Sequence, residues 1–173
     1  LGAGAFDAVC SQFGVMFFAD PVAAFANLRR ALRPGGRLAF ACWQDLFVNE
    51  WMFVPGSAVV AVTGQLPPMP GPGEPGPFSL CEPGRAESVL AAAGFGDVIV
   101  TPHTAEGVGD AGRVDDVVRA SSRVGAVREA MESDDDPAFR ERLLDAVRAA
   151  LQERVEGGRL RLASAAFVVS ASA

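Results

Sequence analysis

The chain has 173 residues, with 15 basic and 21 acidic side chains and a formal net charge of −6. No basic face is available to neutralise a run of phosphates, which argues against a nucleic-acid partner. Half of the residues are hydrophobic and 21% are charged, so a disordered chain is excluded and one globular α/β domain over residues 1–173 is expected.

Every basic residue is Arg, and neither Lys nor Tyr occurs. Cys10, Cys42 and Cys81 match no zinc or redox spacing. Two of them fall in predicted core strands, where Cys behaves as a small apolar residue, and this usage suits a reducing cytoplasm. The opening LGAGAFDAVC has no basic leader and too short an apolar run for a signal or a membrane span. It also lacks an initiator Met just before a predicted strand, and is read as the beginning of a fragment of a larger domain.

Phe6 to Ser11 is a short apolar run that predicts a first strand. Asp20 followed by Pro21 is an N-cap and first-turn pair, and the helix it starts runs to about Leu32 with Val22, Phe25, Leu28 and Leu32 on one face. Arg29, Arg30 and Arg33 suit its negative C-terminal end, and Pro34, Gly35 and Gly36 stop it. Arg37 to Trp43 is a second strand. Both strands carry apolar residues on both faces, the pattern of a parallel sheet covered by helices on each side. The whole stretch is a right-handed strand, helix, strand unit.

Residues 44–83 read as a loop or lid insert, with a Val/Ala run that suits a short helix and a Pro/Gly-dense stretch from Leu66 to Pro83. A helix from Arg85 to Ala93, closed by Gly94 and Phe95, leads into a third strand, Asp97 to Thr101. Residues 104–158 read as a helical insert. It begins with a loop, Gly107 to Gly112, continues as a helix from Arg113 to about Met131 that Gly125 weakens or breaks, and ends in a helix capped by Asp136 and Pro137. That last helix places Phe139, Leu143, Val147, Leu151 and Val155 on one face and stops at Gly157 and Gly158; Leu160 to Ser172 is the final strand.

Phe6, Asp7 and Val9, then Asp20 and Pro21, then Leu32, Arg33, Pro34, Gly35, Gly36 and Leu38 resemble the FDxV, DP and LRPGGxL elements of small-molecule class I S-adenosylmethionine-dependent methyltransferases. Ala93 to Phe95 adds the AGF that precedes the next strand. The resemblance implies strands four to seven of a Rossmann-like methyltransferase sheet, in the order first, second, last, third, with the last strand antiparallel. It implies S-adenosylmethionine as cofactor, lying across the C-terminal strand ends. Ser11, Gln12, Phe13 and Met16 then fall where the family contacts the cofactor, and Phe17, Trp43, Trp51 and Phe78 where the small-molecule acceptor is roofed. For each of these, simple packing is the competing reading. The family's glycine-rich loop is absent: Gly2 and Gly4 precede the wrong strand and no helix follows them. The fragment itself is therefore expected to be inactive and to bind cofactor weakly or not at all.

Methyl transfer from a sulfonium depends mainly on alignment and exclusion of water, so no catalytic residue is assigned. His103, the single His, sits past the third strand and reads better as structural or exposed than as a base. Glu132, Asp134, Asp135 and Asp136 read as a solvated loop ending in an N-cap, and no metal site is assigned. The alternatives are a nicotinamide-dependent reductase and a non-catalytic dimerisation or ligand-binding module. The lack of Tyr and Lys rules out a Tyr/Lys pair for the first within this segment. Without strands beside it, Phe6 to Ser11 is an exposed apolar edge, and association of two copies through it is expected.

Overall fold

A computed structural model describes residues 2–67, 70 and 73–173. These form strands β1 (Phe6–Gln12), β2 (Leu32–Trp43), β3 (Gly96–Asp110), β4 (Val155–Glu156) and β5 (Arg159–Ser172). The helices are α1 (Pro21–Ala31), α2 (Glu50–Thr63), α3 (Arg85–Ala92), α4 (Val114–Ser121), α5 (Gly125–Ser133) and α6 (Pro137–Gln152). The sheet order is β1-β2-β5-β3, with β4 paired to β5. β1 and β2 are parallel, and β5 runs antiparallel to β2 from Arg37 opposite Ser172 to Trp43 opposite Ala166.

The expected single domain divides into two compact units. The first comprises residues 1–45, 70–104 and 165–173; the second comprises 46–69 and 105–164. Residues 44–83 contribute to both units. The Val/Ala run becomes α2, whose Val54, Ala58 and Val59 join the core of the second unit, while Leu80 returns to the core of the first.

In the first unit, the Asp20 carboxylate accepts from the Ala23 N–H at 2.9 Å and opens α1, with Pro21 at its first position. Replacing Asp20 by Ala leaves that N–H without its cap, and a loss of about 1 kcal/mol is expected in urea unfolding. The chain then enters β2 directly, five residues before the predicted start. The Pro-Gly-Gly turn lies inside an irregular strand, with a register shift between Phe6 and Ala8 and Gly35 at φ 77°. Gly36 is required for space: a Cβ there would stand 2.9 Å from the Arg33 carbonyl and 3.1 Å from that of Asp7.

Among the described residues of the first unit, one face of these strands is covered. Leu38, Phe40 and Cys42 of β2, with Val169 and Ala171 of β5, are buried under Phe25 of α1 and Val89 and Leu90 of α3. The opposite face keeps Phe6 (42%), Val168 (49%) and Ile99 (60%) exposed. Both helices of this unit pack on the same side, so the alternation of β2 is one-sided in fact although its composition is apolar on both sides.

The α3 ending follows the expected glycine cap. Gly94 takes φ 87°, and buried Phe95 donates its N–H to the Leu90 carbonyl at 3.0 Å. The third strand runs nine residues past its predicted end, through the segment read as a loop. The predicted long helix after it is two helices, broken at Gly125 with φ 61°.

In the second unit α6 is capped by Asp136, which accepts from the Ala138 N–H at 3.0 Å. Phe139, Leu143, Val147 and Leu151 are buried as a stripe. Val155 leaves the helix for β4, and Gly157 and Gly158, at φ 56° and 77°, make a two-residue hairpin into β5. No helix among the described residues is long and apolar enough to cross a membrane.

Candidate functional site

The parallel strands β1 and β2 end side by side, and the segment after β1 is where the first unit collects its least ordinary geometry. Phe13 follows β1 and continues its ladder by donating to the Ala41 carbonyl at 3.0 Å. It does so with φ 55°, a left-handed conformation that bulky residues rarely take. Its ring stacks on Trp43, with centroids 3.8 Å apart and planes within 10°.

Gly14 and a short 3-10 turn, Val15–Phe17, follow. At position 14 a Cβ would approach the Ser11 hydroxyl to 3.1 Å, so glycine keeps that oxygen clear. Ser11 is half-buried and Gln12 exposed, and together they place two polar side chains at the end of β1.

Met16 has a different position from the others expected at the cofactor. It is 1% exposed, and its sulfur accepts the Trp43 backbone N–H at 3.3 Å. Its carbonyl accepts from the Ser79 hydroxyl at 2.7 Å and from the Gly76 N–H at 3.1 Å. Met16 is thus a clasp that ties the Gly76–Ser79 loop and the end of β2 to the β1 connection. No sequence signal announced this role, because all three partners are distant in the chain.

Of the residues expected around an acceptor, Phe17 is 57% exposed, while Trp43 and Phe78 are half-buried in the same unit. Trp51 belongs to the second unit, where its indole N–H donates to the side chain of fully buried Asn49 at 3.2 Å. His103 lies exposed on β3.

Two thiols lie near the same strand end. Burial pushes the Cys42 thiol up to about 12, with Cys81 and Glu87 adding to the shift. Burial also raises the Cys81 thiol, helped by the Asp45 and Glu82 carboxylates and opposed by a backbone hydrogen bond. Both stay protonated at neutral pH, which removes them as nucleophiles.

The residues present fit one wall of a cofactor site. Ser11 and Gln12 offer polar groups and Phe13 a ring.

A parallel pair followed by an antiparallel strand inserted before the next one in sequence is the Rossmann-like methyltransferase arrangement, and the fold is of that class. Residues 1–40 match the methyltransferase domain family. Over 48 residues the chain is 44% identical to the biotin biosynthesis bifunctional protein BioCD of Bordetella avium (strain 197N). That stretch is 28% of this chain and 10% of the relative, so the chain spans a small part of the curated protein it matches. Among solved structures, a protein of Anaeromyxobacter dehalogenans provisionally described as a type II methyltransferase aligns with a TM-score of 0.54 at 19% identity, covering 99% of this chain and 66% of that one. A provisionally described methyltransferase of Bacillus halodurans C-125 aligns with a TM-score of 0.50 at 13% identity, covering 99% and 71%.

Proposed function

We propose that this chain forms part of an S-adenosylmethionine-dependent methyltransferase that acts on a small-molecule acceptor. The observation that carries the reading is the β1-α1-β2 unit: its residues match the methyltransferase domain, and its strand ends form a strained, aromatic-lined turn at the position where such sheets take ligands.

The cofactor brings an activated methyl group to this site. What the chain's own residues supply is position and dryness. Ser11 and Gln12 supply polar contacts at the end of β1, Phe13 and Trp43 an apolar wall, and the Met16 clasp holds the loop that carries Phe78. Alignment with exclusion of water is the main need of such a transfer.

The glycine-rich loop is not among these 173 residues. The protein expressed from the complete gene is therefore expected to transfer labelled methyl groups from S-adenosylmethionine to an acceptor in a small-molecule extract, and the 173-residue chain is not. Labelling of small molecules by neither protein, or transfer of label to protein or nucleic acid alone, would sink the proposal.

A further inference from the structure

Two locally unfavourable choices coincide at Phe13. Among the described residues only Phe13 and Asp97 combine a side chain with positive φ, and a short polar Asp tolerates that region where Phe does not. Glycine would take φ 55° without cost. A large ring is nevertheless held there, pinned by the hydrogen bond to Ala41.

The ring then stacks nearly face to face on Trp43, at 3.8 Å and 10°, although aromatic pairs favour offset or edge-on contacts. The core of the same unit shows the favoured form: Phe18 meets Phe25 edge-on, at 5.5 Å and 87°. Phe25 is fully buried, whereas Phe13 and Trp43 pack against the core while remaining partly exposed. Trp43 is fixed from its backbone, by the Met16 sulfur on one side and pairing with Ala166 on the other. Backbone strain under a partly exposed aromatic pair, at the carboxyl end of parallel strands, is the kind of feature found at ligand surfaces.

We infer that the Phe13–Trp43 pair determines specificity at this end of the sheet, offering an aromatic face to a flat, π-bearing portion of the ligand and discriminating against a saturated one of equal size. Naming that ligand the methyl acceptor rests on the function proposed above.

The test is a ligand-observed NMR titration of the 173-residue chain with 2-naphthol and with its saturated counterpart decahydro-2-naphthol. Stacking predicts that 2-naphthol binds about tenfold more tightly. The preference falls below about twofold in Phe13→Gly and Trp43→Leu and survives in Trp43→Phe, which keeps a ring. Phe13→Gly also relieves the backbone, so it melts no lower than Phe13→Ala, which keeps the strain; loss of discrimination in both variants assigns it to the ring.

Equal affinity for the two alcohols, binding of neither, or discrimination that persists without either ring overturns the proposal. A chain that discriminates while the complete gene product fails to bind S-adenosylhomocysteine keeps the aromatic surface and removes the methyl-transfer reading. The converse result removes the aromatic surface alone.

Discussion

Replacing Phe25 by Ala is expected to lower stability by about 3–5 kcal/mol, a large share of what a domain of this size possesses. Phe25 lies on the inner face of α1 and has no exposed surface. Phe18 packs edge-on against it, and Phe40 of β2 meets it at 5.3 Å. Truncation removes the ring's burial and leaves a cavity bordered by a helix and a strand whose backbones are held by their own hydrogen bonds, so the site collapses poorly. Val22, on the same helix but 36% exposed, supplies the contrast: Val22→Ala should cost under about 0.5 kcal/mol. Urea unfolding followed by far-UV circular dichroism measures both. Equal effects of the two changes would contradict the assignment of the core.

A second large effect is expected at alkaline pH. The folded Cys42 thiol holds its proton to about 12, whereas in the unfolded chain it titrates near an ordinary value of about 9. Between these values the folded state binds more protons than the unfolded state, so stability is fully present below pH 9 and falls as pH rises towards 12. The slope is at most about 1.4 kcal/mol per pH unit for one thiol. Cys81 shifts in the same direction and adds a smaller part. The measurement is unusually clean because the chain contains no Lys and no Tyr, so the thiols titrate in that window beside little more than the tail of the α-amino group. Cys42→Ala should flatten most of the slope in urea titrations from pH 8.5 to 11. An unchanged slope in that variant would show that Cys42 is not the buried titrating group.

The parts of the fold that were legible in sequence are those whose causes are local. Asp20-Pro21 and Asp136-Pro137 state two helix starts outright, and Gly94-Phe95 states a helix end. The order of the strands was available only through the family resemblance. What stayed hidden depends on distant partners. Which face of β2 is covered is decided by α1 and α3 packing on the same side, and in the strand itself only the alternation of Leu38, Phe40 and Cys42 with Arg37, Ala39 and Ala41 reflects that choice. The second half of β3 reads as a loop because Glu106 to Asp110 is polar and glycine-rich, but contacts with β5 hold it: Arg161 pairs with Glu106 at 2.5 Å, and the Ser164 hydroxyl donates to the Ala105 carbonyl at 3.3 Å. The Gly157-Gly158 pair suits both a helix stop and a two-residue hairpin, and the pairing of β4 with β5 makes it the hairpin.

The candidate site divides in the same way. Position in the chain pointed to Ser11, Gln12, Phe13 and Met16 as one group, because all follow the first strand. Folding separates them: Met16 is enclosed and joins three segments, while the other three stay at the strand end with Trp43 beside Phe13. The left-handed backbone of Phe13 has no sequence signature, since glycine, which would announce it, sits one residue later for a different reason.

Calorimetric titration with S-adenosylhomocysteine, of the protein from the complete gene beside the 173-residue chain, tests the methyltransferase assignment most directly. Binding at micromolar concentrations by the complete protein, weakened at least about a hundredfold in the chain alone, is the expected result, since the strand-end wall without its glycine-rich loop leaves most of the cofactor's contacts unmade. Absence of binding by the complete protein would contradict the assignment, and micromolar binding by the chain alone would contradict the proposal that its residues supply one wall of the site.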